Sequence, residues 1–382
     1  MEQTSTVGPP IELPIIDISN PNDPNVGKAM LDAAAKYGFL YVDSKGTDFA
    51  AEDVKRAFEL SKAFFASPAE EKATCCISPN VCPTQFSTYI DRYMTLMLVA
   101  CRIVAGQACT SKLSIQSIKG NCRAMNFDEF KDGKAQQPLP PSLAPHEAEI
   151  GHFASLCNKT CNRILKLLAL GLQIPNDFFT SRHDPQNGPT GCILRYLYYP
   201  SIFSPATSSY QHDVDVRAGA HSDYGSITLL FQRPGQPGLE IRTPDGSWAP
   251  VPVQPGNAED ASAYTFPPIL VNIGDLLSYW TDGLLKSTIH RVVFPLSEQR
   301  NPNPQDRYSI AYFCHPVDTT ELVPVPSKAV VAHREYCRKN GIANEQVGFG
   351  GGAGNMAPGK RALTAYEHLE SRLAATYGFK KE

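Results

Sequence analysis

The spacing of apolar residues changes part-way along the chain. In the first half they recur at helical intervals. "VKRAFELSKAFFASPAEEKA" carries a stripe through Val54, Phe58, Ser61 and Phe65 that Pro68 ends. "GHFASLCNKTCNRILKLLALGLQIP" repeats Phe153, Leu156, Ile164, Leu167 and Leu168 at helical spacing before Pro175. "VGKAMLDAAAKYGFLYV" passes from helix spacing into a strand at Gly38, and "LPIIDIS", Leu13 to Ser19, reads as a short strand. From about Gly191 the runs shorten: "CILRYLYYP", "SITLLFQ", "GLEIR", "ILVNIGDLLSYW", "STIHRVVF" and "RYSIAYF" are separated by Gly, Pro, Asn and Asp. Such a series predicts a sandwich, barrel or jelly roll. "PGNAEDASAYTFPP", Pro255 to Pro268, is expected to be a mobile loop between strands. "RALTAYEHLESRLAATYG" closes the chain as an amphipathic helix through Leu363, Tyr366, Leu369 and Leu373, with Gly378 as C-cap.

These patterns divide the chain into a mainly helical region (1–185), a strand-rich domain (186–320) and a C-terminal helical extension (321–382). With 382 residues there is enough chain for a substantial core. A net charge of −3 gives no electrostatic case for a nucleic-acid partner and leaves a small-molecule substrate as the default. The N-terminus lacks the pattern of a signal peptide, and the apolar stretch "MTLMLVACRIV" is short and contains Arg102, so a cytoplasmic location away from membranes is expected. Eleven cysteines show no repeated Cys-x-x-Cys spacing, and six of them fall between Cys75 and Cys122.

Within "AGAHSDYGSITLLFQ", His221 and Asp223 stand two apart, so on a strand their side chains would share a face. The same spacing occurs at His333/Glu335 and His368/Glu370, but those pairs lie in helical patterns, where positions i and i+2 diverge. His290, on a predicted strand with Val292 and Phe294, is the third candidate. Two histidines and a carboxylate with open positions form the facial triad of non-heme Fe(II) oxygenases, although zinc hydrolases use similar ligands and an isolated histidine is more often a core or surface group. In "DRYSIAYF", Arg307 and Ser309 share a strand face and suit a carboxylate, the alternative being a buried arginine paired with an internal acid. Tyr199 in "LRYLYYP" offers a further hydroxyl, or simple packing.

Taken in order, "LPIIDIS", "YGFLYV", "FFASPAEEK", "LRYLYYP", "AGAHSDYGSITLLFQ", "GLEIR", "VNIGDLLSYWTDGLLKSTIHRVVFP" and "RYSIAYF" resemble the iron and 2-oxoglutarate dependent dioxygenases of the isopenicillin N synthase-like family. The resemblance covers residues 12–74 and 125–377. It implies an α+β protein with a mostly β core, a double-stranded β-helix (jelly roll) flanked by N- and C-terminal helices. It implies His221, Asp223 and His290 as Fe(II) ligands, and Arg307, Ser309 and nearby Tyr199 as contacts of the co-substrate 2-oxoglutarate. The implied activity is O2-dependent oxidation of a small organic molecule (hydroxylation, desaturation or ring closure) with release of succinate. Two alternatives stay open, a related Fe(II) oxidase that needs no 2-oxoglutarate and a jelly-roll binding protein that has lost catalysis. The chain departs from the family pattern at Leu197, where many members have Asn, and between Thr74 and Arg123. Cysteine crowding and absent patterning in that second stretch suggest unspliced or frame-shifted coding sequence, with a divergent substrate lid as the alternative. Poor packing and an incomplete substrate mouth are expected there.

Overall fold

The computed structural model describes residues 8–74, 123–207, 216–256, 264–342, 352–355 and 361–377. Strands β1 (Ile15–Ile16), β2 (Phe39–Val42), β3 (Arg123–Phe127), β6 (Ile193–Tyr199), β8 (Ile227–Gln232), β11 (Ile269–Ile273) and β13 (Arg307–Cys314) form a seven-stranded sheet in the order β1-β2-β11-β8-β13-β6-β3. A four-stranded sheet, β10-β9-β12-β7, uses shorter pieces: β7 (Ala218–His221), β9 (Leu239–Arg242), β10 (Trp248–Pro250) and β12 (His290–Val292). A small hairpin joins β4 (Phe130–Lys131) to β5 (Lys134–Ala135).

The apolar run of β2, and that of β11 apart from Asn272, follow from burial on both faces. Leu40, Val42, Ile269, Val271 and Ile273 face the helices α1 (Pro24–Lys36), α2 (Ala51–Ala66) and α4 (Glu147–Gly171) through one core, with Met30, Phe58, Phe153 and Ile164. Phe39, Tyr41 and Leu270 point the other way, into a second cluster with Tyr199, Leu239, Ile241 and Val292 between the two sheets. This is the expected jelly roll with its flanking helices. The N-terminal region supplies more than helices, since β1, β2 and β3 all join the larger sheet.

The helical stripes are buried as predicted, from Val54, Phe58, Ser61 and Phe65 on α2 to Phe153, Leu156, Ile164, Leu167 and Leu168 on α4. After Pro68 a short helix α3 (Ala69–Thr74) begins. Gly38 breaks helix from strand with φ +68, and a Cβ there would sit 2.1 Å from the Lys286 carbonyl oxygen, so the turn needs glycine. The C-terminal part holds α7 (Lys328–Lys339) and α8 (Ala365–Tyr377), the latter burying Leu369 and Leu373. Among the described residues no helix is long and apolar enough to cross a membrane, and the five described cysteines are free and buried.

Three sequence expectations change. "ILVNIGDLLSYW" is not one strand: β11 stops at Ile273 and α5 (Asp275–Trp280) follows. The N–H groups at its start, which a helix leaves unpaired, donate to carbonyls of the neighbouring loop: Gly274 to Ser226, Asp275 to Asp223, Leu276 to Tyr224 and Gly225. The strand bearing His221 ends at that residue, so Asp223 lies in the following loop and not on a shared strand face. On the third strand Phe294 falls beyond β12, followed by a four-residue helix α6 (Leu296–Gln299). The Cys75–Cys122 segment, residues 257–263 of the expected mobile loop, and Gly378 lie outside the described residues.

Candidate metal and co-substrate site

His221 and His290 face each other across the antiparallel pair β7–β12, with ring centroids 4.3 Å apart. The loop after His221 brings Asp223 beneath them, its Oδ1 lying 4.0 Å from His221 Nε2 and 3.8 Å from His290 Nε2. One ligand atom from each residue lies within 4.8 Å of the other two, and among the described residues no other set of three or more His, Cys, Asp or Glu does this. His333/Glu335 and His368/Glu370 sit on α7 and α8, as their spacing predicted.

The remaining polar atom of each ligand is engaged. His221 Nδ1 donates to the Gly219 carbonyl (2.7 Å) and His290 Nδ1 to the Thr288 carbonyl (3.1 Å). A carbonyl only accepts, so each Nδ1 carries the proton and each Nε2 keeps its lone pair for a metal. Asp223 Oδ2 accepts from Thr228 Oγ1 and Asn272 Nδ2, both at 2.7 Å, which leaves Oδ1 to face the histidines. Asn272 on β11 and Thr228 on β8 are adjacent in register, so the larger sheet orients the Asp223 carboxylate in the loop after β7. Thr288 is itself tied down, its hydroxyl donating to the Tyr37 carbonyl (2.7 Å) beside Gly38.

Electrostatics matches this geometry. Burial lowers the pKa of His290 to about 4, with His221 adding to the effect, so His290 is neutral and ligand-ready near pH 7. Burial is the largest influence on Asp223 and raises its pKa, but His290, His221 and the two hydrogen bonds together outweigh it, and the net shift is downward. Two imidazole nitrogens and an ionised carboxylate oxygen are the donor set that an Fe(II) ion accepts, and the residues fit that group. His221 is 48% exposed while His290 and Asp223 are 10% and 7% exposed, so access is from the His221 side.

On the larger sheet Arg307 lies directly opposite Tyr199, and Ser309 opposite Leu197 and Gln232. The Arg307 guanidinium donates to Ser309 Oγ (3.3 Å), Gln232 Oε1 (3.4 Å) and the Gln236 carbonyl (3.3 Å), and it stacks 5.0 Å above the Tyr199 ring. Tyr199 therefore meets Arg307 with its ring face. Gln232 and Gln236 were not found by sequence reasoning, and neither were Asn272 and Thr228. Gln232, Asn272 and Thr228 in their strands, and Gln236 in the turn after β8, carry no spacing signal until the fold brings them beside their partners.

The profile described as the 2OG-Fe(II) oxygenase superfamily matches residues 190–316, and that of the N-terminal region of non-haem dioxygenases in morphine synthesis matches residues 13–93. The second match continues past Thr74, where the family resemblance was expected to lapse. The UPF0676 protein C1494.01 of Schizosaccharomyces pombe is 33% identical over 373 residues, covering 97% of this chain and 94% of the relative. Homoarginine-6-hydroxylase 2-ODD-C23 of Glycine max is 27% identical over 354 residues, 88% and 95% of the two chains. Among solved structures, a full-length Neurospora crassa protein in complex with alpha-KG aligns with a TM-score of 0.65 at 24% identity, over 98% of this chain and 99% of that one, and shares the fold. The chain belongs to the 2-oxoglutarate and Fe(II)-dependent oxygenases, in the isopenicillin N synthase-like superfamily. Its class is that of oxidoreductases that use Fe(II), 2-oxoglutarate and O2.

Proposed function

We propose that His221, Asp223 and His290 hold the iron, that Arg307 and Ser309 hold the distal carboxylate of 2-oxoglutarate above the Tyr199 ring, and that the substrate is a small organic molecule. The observation that carries this reading is the convergence of three ligand atoms within 4.8 Å while the other polar atom of each residue is hydrogen-bonded elsewhere. Bound there, Fe(II) would supply activation of O2 coupled to decarboxylation of 2-oxoglutarate to succinate. The protein's own part is positional. Arg307 presents a fixed guanidinium to a carboxylate, Leu197 and Val292 line the space between the sheets with apolar surface, and the half-exposed His221 marks the open side.

The activities for which relatives are named support a small substrate: homoarginine hydroxylation in Glycine max, and a proline hydroxylase in Petromyces alliaceus. The Neurospora crassa protein has also been solved with thymine and with 5-formyluracil, which supports the same size class. The test is O2-dependent succinate release by the Fe(II)-loaded protein, with His290→Ala and Asp223→Ala as comparisons. Wild type is expected to release succinate and both variants to fall to background; succinate release by His290→Ala at the wild-type rate would remove His290 from the metal set.

A further inference from the structure

The carboxylate of Asp275, at the start of α5, gathers three side-chain donors from three separate parts of the chain. Ser222, which sits between the two triad members His221 and Asp223, donates from Oγ to Oδ2 at 3.1 Å. Ser287, three residues before His290, donates to Oδ1 at 2.6 Å. Arg372, from the C-terminal helix α8, forms an ion pair with Oδ2 at 2.5 Å and also reaches Ser222 Oγ at 3.5 Å. The Asp275 backbone N–H donates to the carbonyl of Asp223 itself at 2.7 Å. A single buried residue thus touches the loop carrying two triad members, the run leading into the third, and the last helix. The Arg372 guanidinium also lies 5.7 Å from the Tyr224 ring, on the far flank of the same loop.

The local backbone makes this junction tight. A Cβ on Gly274 would lie 2.2 Å from the Gly225 carbonyl oxygen, so the start of α5 and the Ser222–Ser226 loop are in direct backbone contact. Arg372 and Asp275 are 4% and 8% exposed. A pair so far from water depends on the hydrogen bonds around it, and removing one partner leaves an uncompensated charge beside the loop. An ion pair that merely fastened α8 to the core would not need Ser222 as a third member.

We propose that Arg372 is a positioning residue of the metal centre: through Asp275 and Ser222 it fixes the loop that presents Asp223. This rests on the ligand assignment above. Outer-shell partners of metal ligands typically contribute about 10- to 100-fold in metal affinity, which sets the expected size.

The test is an anaerobic titration of the full chain with Co(II) as an optical probe, following both the affinity and the visible ligand-field bands. Arg372→Met is expected to weaken Co(II) binding by about tenfold or more and to shift the bands, with Arg372→Lys recovering part of the loss. Leu373→Ala, a packing change on the same helix, is expected to lower thermal stability and leave affinity and bands at wild-type values. Should Arg372→Met fail to fold, Ser222→Ala decides, because it cuts the link while keeping the ion pair; a several-fold weaker, spectrally altered site is expected at an unchanged melting temperature. Unchanged affinity and bands in the decisive variant, or an equal effect from Leu373→Ala, would overturn the inference while His290→Ala still abolishes binding. Co(II) binding by His290→Ala at wild-type strength would overturn the ligand assignment, and this inference with it.

Discussion

The two ends of the proposed site are built on different principles. Arg307, Ser309 and Tyr199 lie on β6 and β13, strands of seven and eight residues paired along their length inside a seven-stranded sheet. Their positions follow from an unbroken ladder, and two glutamines, a hydroxyl and an aromatic ring lie against the Arg307 guanidinium. His221 and His290 sit at the ends of strands of four and three residues, and the register between them shifts before Val292. Asp223 is on no strand. A short, irregular sheet cannot fix three ligands by its ladder alone, so the metal end relies on side-chain braces: Thr228 and Asn272 on Asp223, the Asp275 junction, and Arg291 paired with Glu240 across β12 and β9 at 2.7 Å. On the proposed assignment, regular sheet suffices to hold a co-substrate grip, whereas a metal site at strand ends needs a polar scaffold of its own.

That contrast predicts where the molecule gives way. Acid should act most strongly on the metal end, since neutral buried histidines lie under its loop. Burial lowers His183, whose Nδ1 donates to the Phe179 carbonyl and whose Nε2 accepts from Ser226 Oγ (2.8 Å), to about 4; it lowers His315, against Gly225, to about 4, and His368 on α8 to about 3. In the unfolded chain these groups take up protons near pH 6.5, and in the fold they resist to about pH 4, so between those values the unfolded state binds more protons. Their contribution is full above about pH 6.5 and declines as the pH falls toward 4, by several kcal/mol in all at order of magnitude. Urea unfolding of the metal-free protein at about pH 7.5 and about pH 5 checks this, with a lower midpoint expected at the acid value.

Smaller effects should separate the two ends. Asn272→Ala removes one of the two hydrogen bonds that orient Asp223 and is expected to weaken metal binding by about 10- to 100-fold, with little change in the 2-oxoglutarate requirement of the loaded protein. Arg307→Lys keeps the charge but loses the planar fork, and it should raise the 2-oxoglutarate requirement by about tenfold while metal affinity stays near wild type. If each variant disturbed both affinities equally, the division into two ends would be wrong.

Much of this was legible in the residues. The helical stripes of α2 and α4 and the shift to short runs after Gly191 gave the architecture because each reflects which faces are buried. His221, Asp223 and His290 were legible as a candidate set, but for a partly mistaken reason: the strand stops at His221, and the loop geometry that places Asp223 depends on Gly225, Gly274 and the start of α5. That helix was hidden because its six residues, "DLLSYW", are too few to display a helical period beside the apolar strand that precedes them. The braces were hidden for a different cause. Asn272 lies 49 residues from Asp223, and Arg372 lies 150 residues from Ser222, so only the folded register makes them neighbours.

The claim that matters most is that the two ends serve one chelated co-substrate. Anaerobic titration of the Fe(II)-loaded protein with 2-oxoglutarate, followed by the visible charge-transfer absorption of the chelate, tests it directly. The wild-type band is expected to rise and saturate, to need about tenfold more 2-oxoglutarate in Arg307→Lys, and to be missing in His290→Ala. No band in the wild type, or an Arg307→Lys titration superimposable on it, would contradict the account.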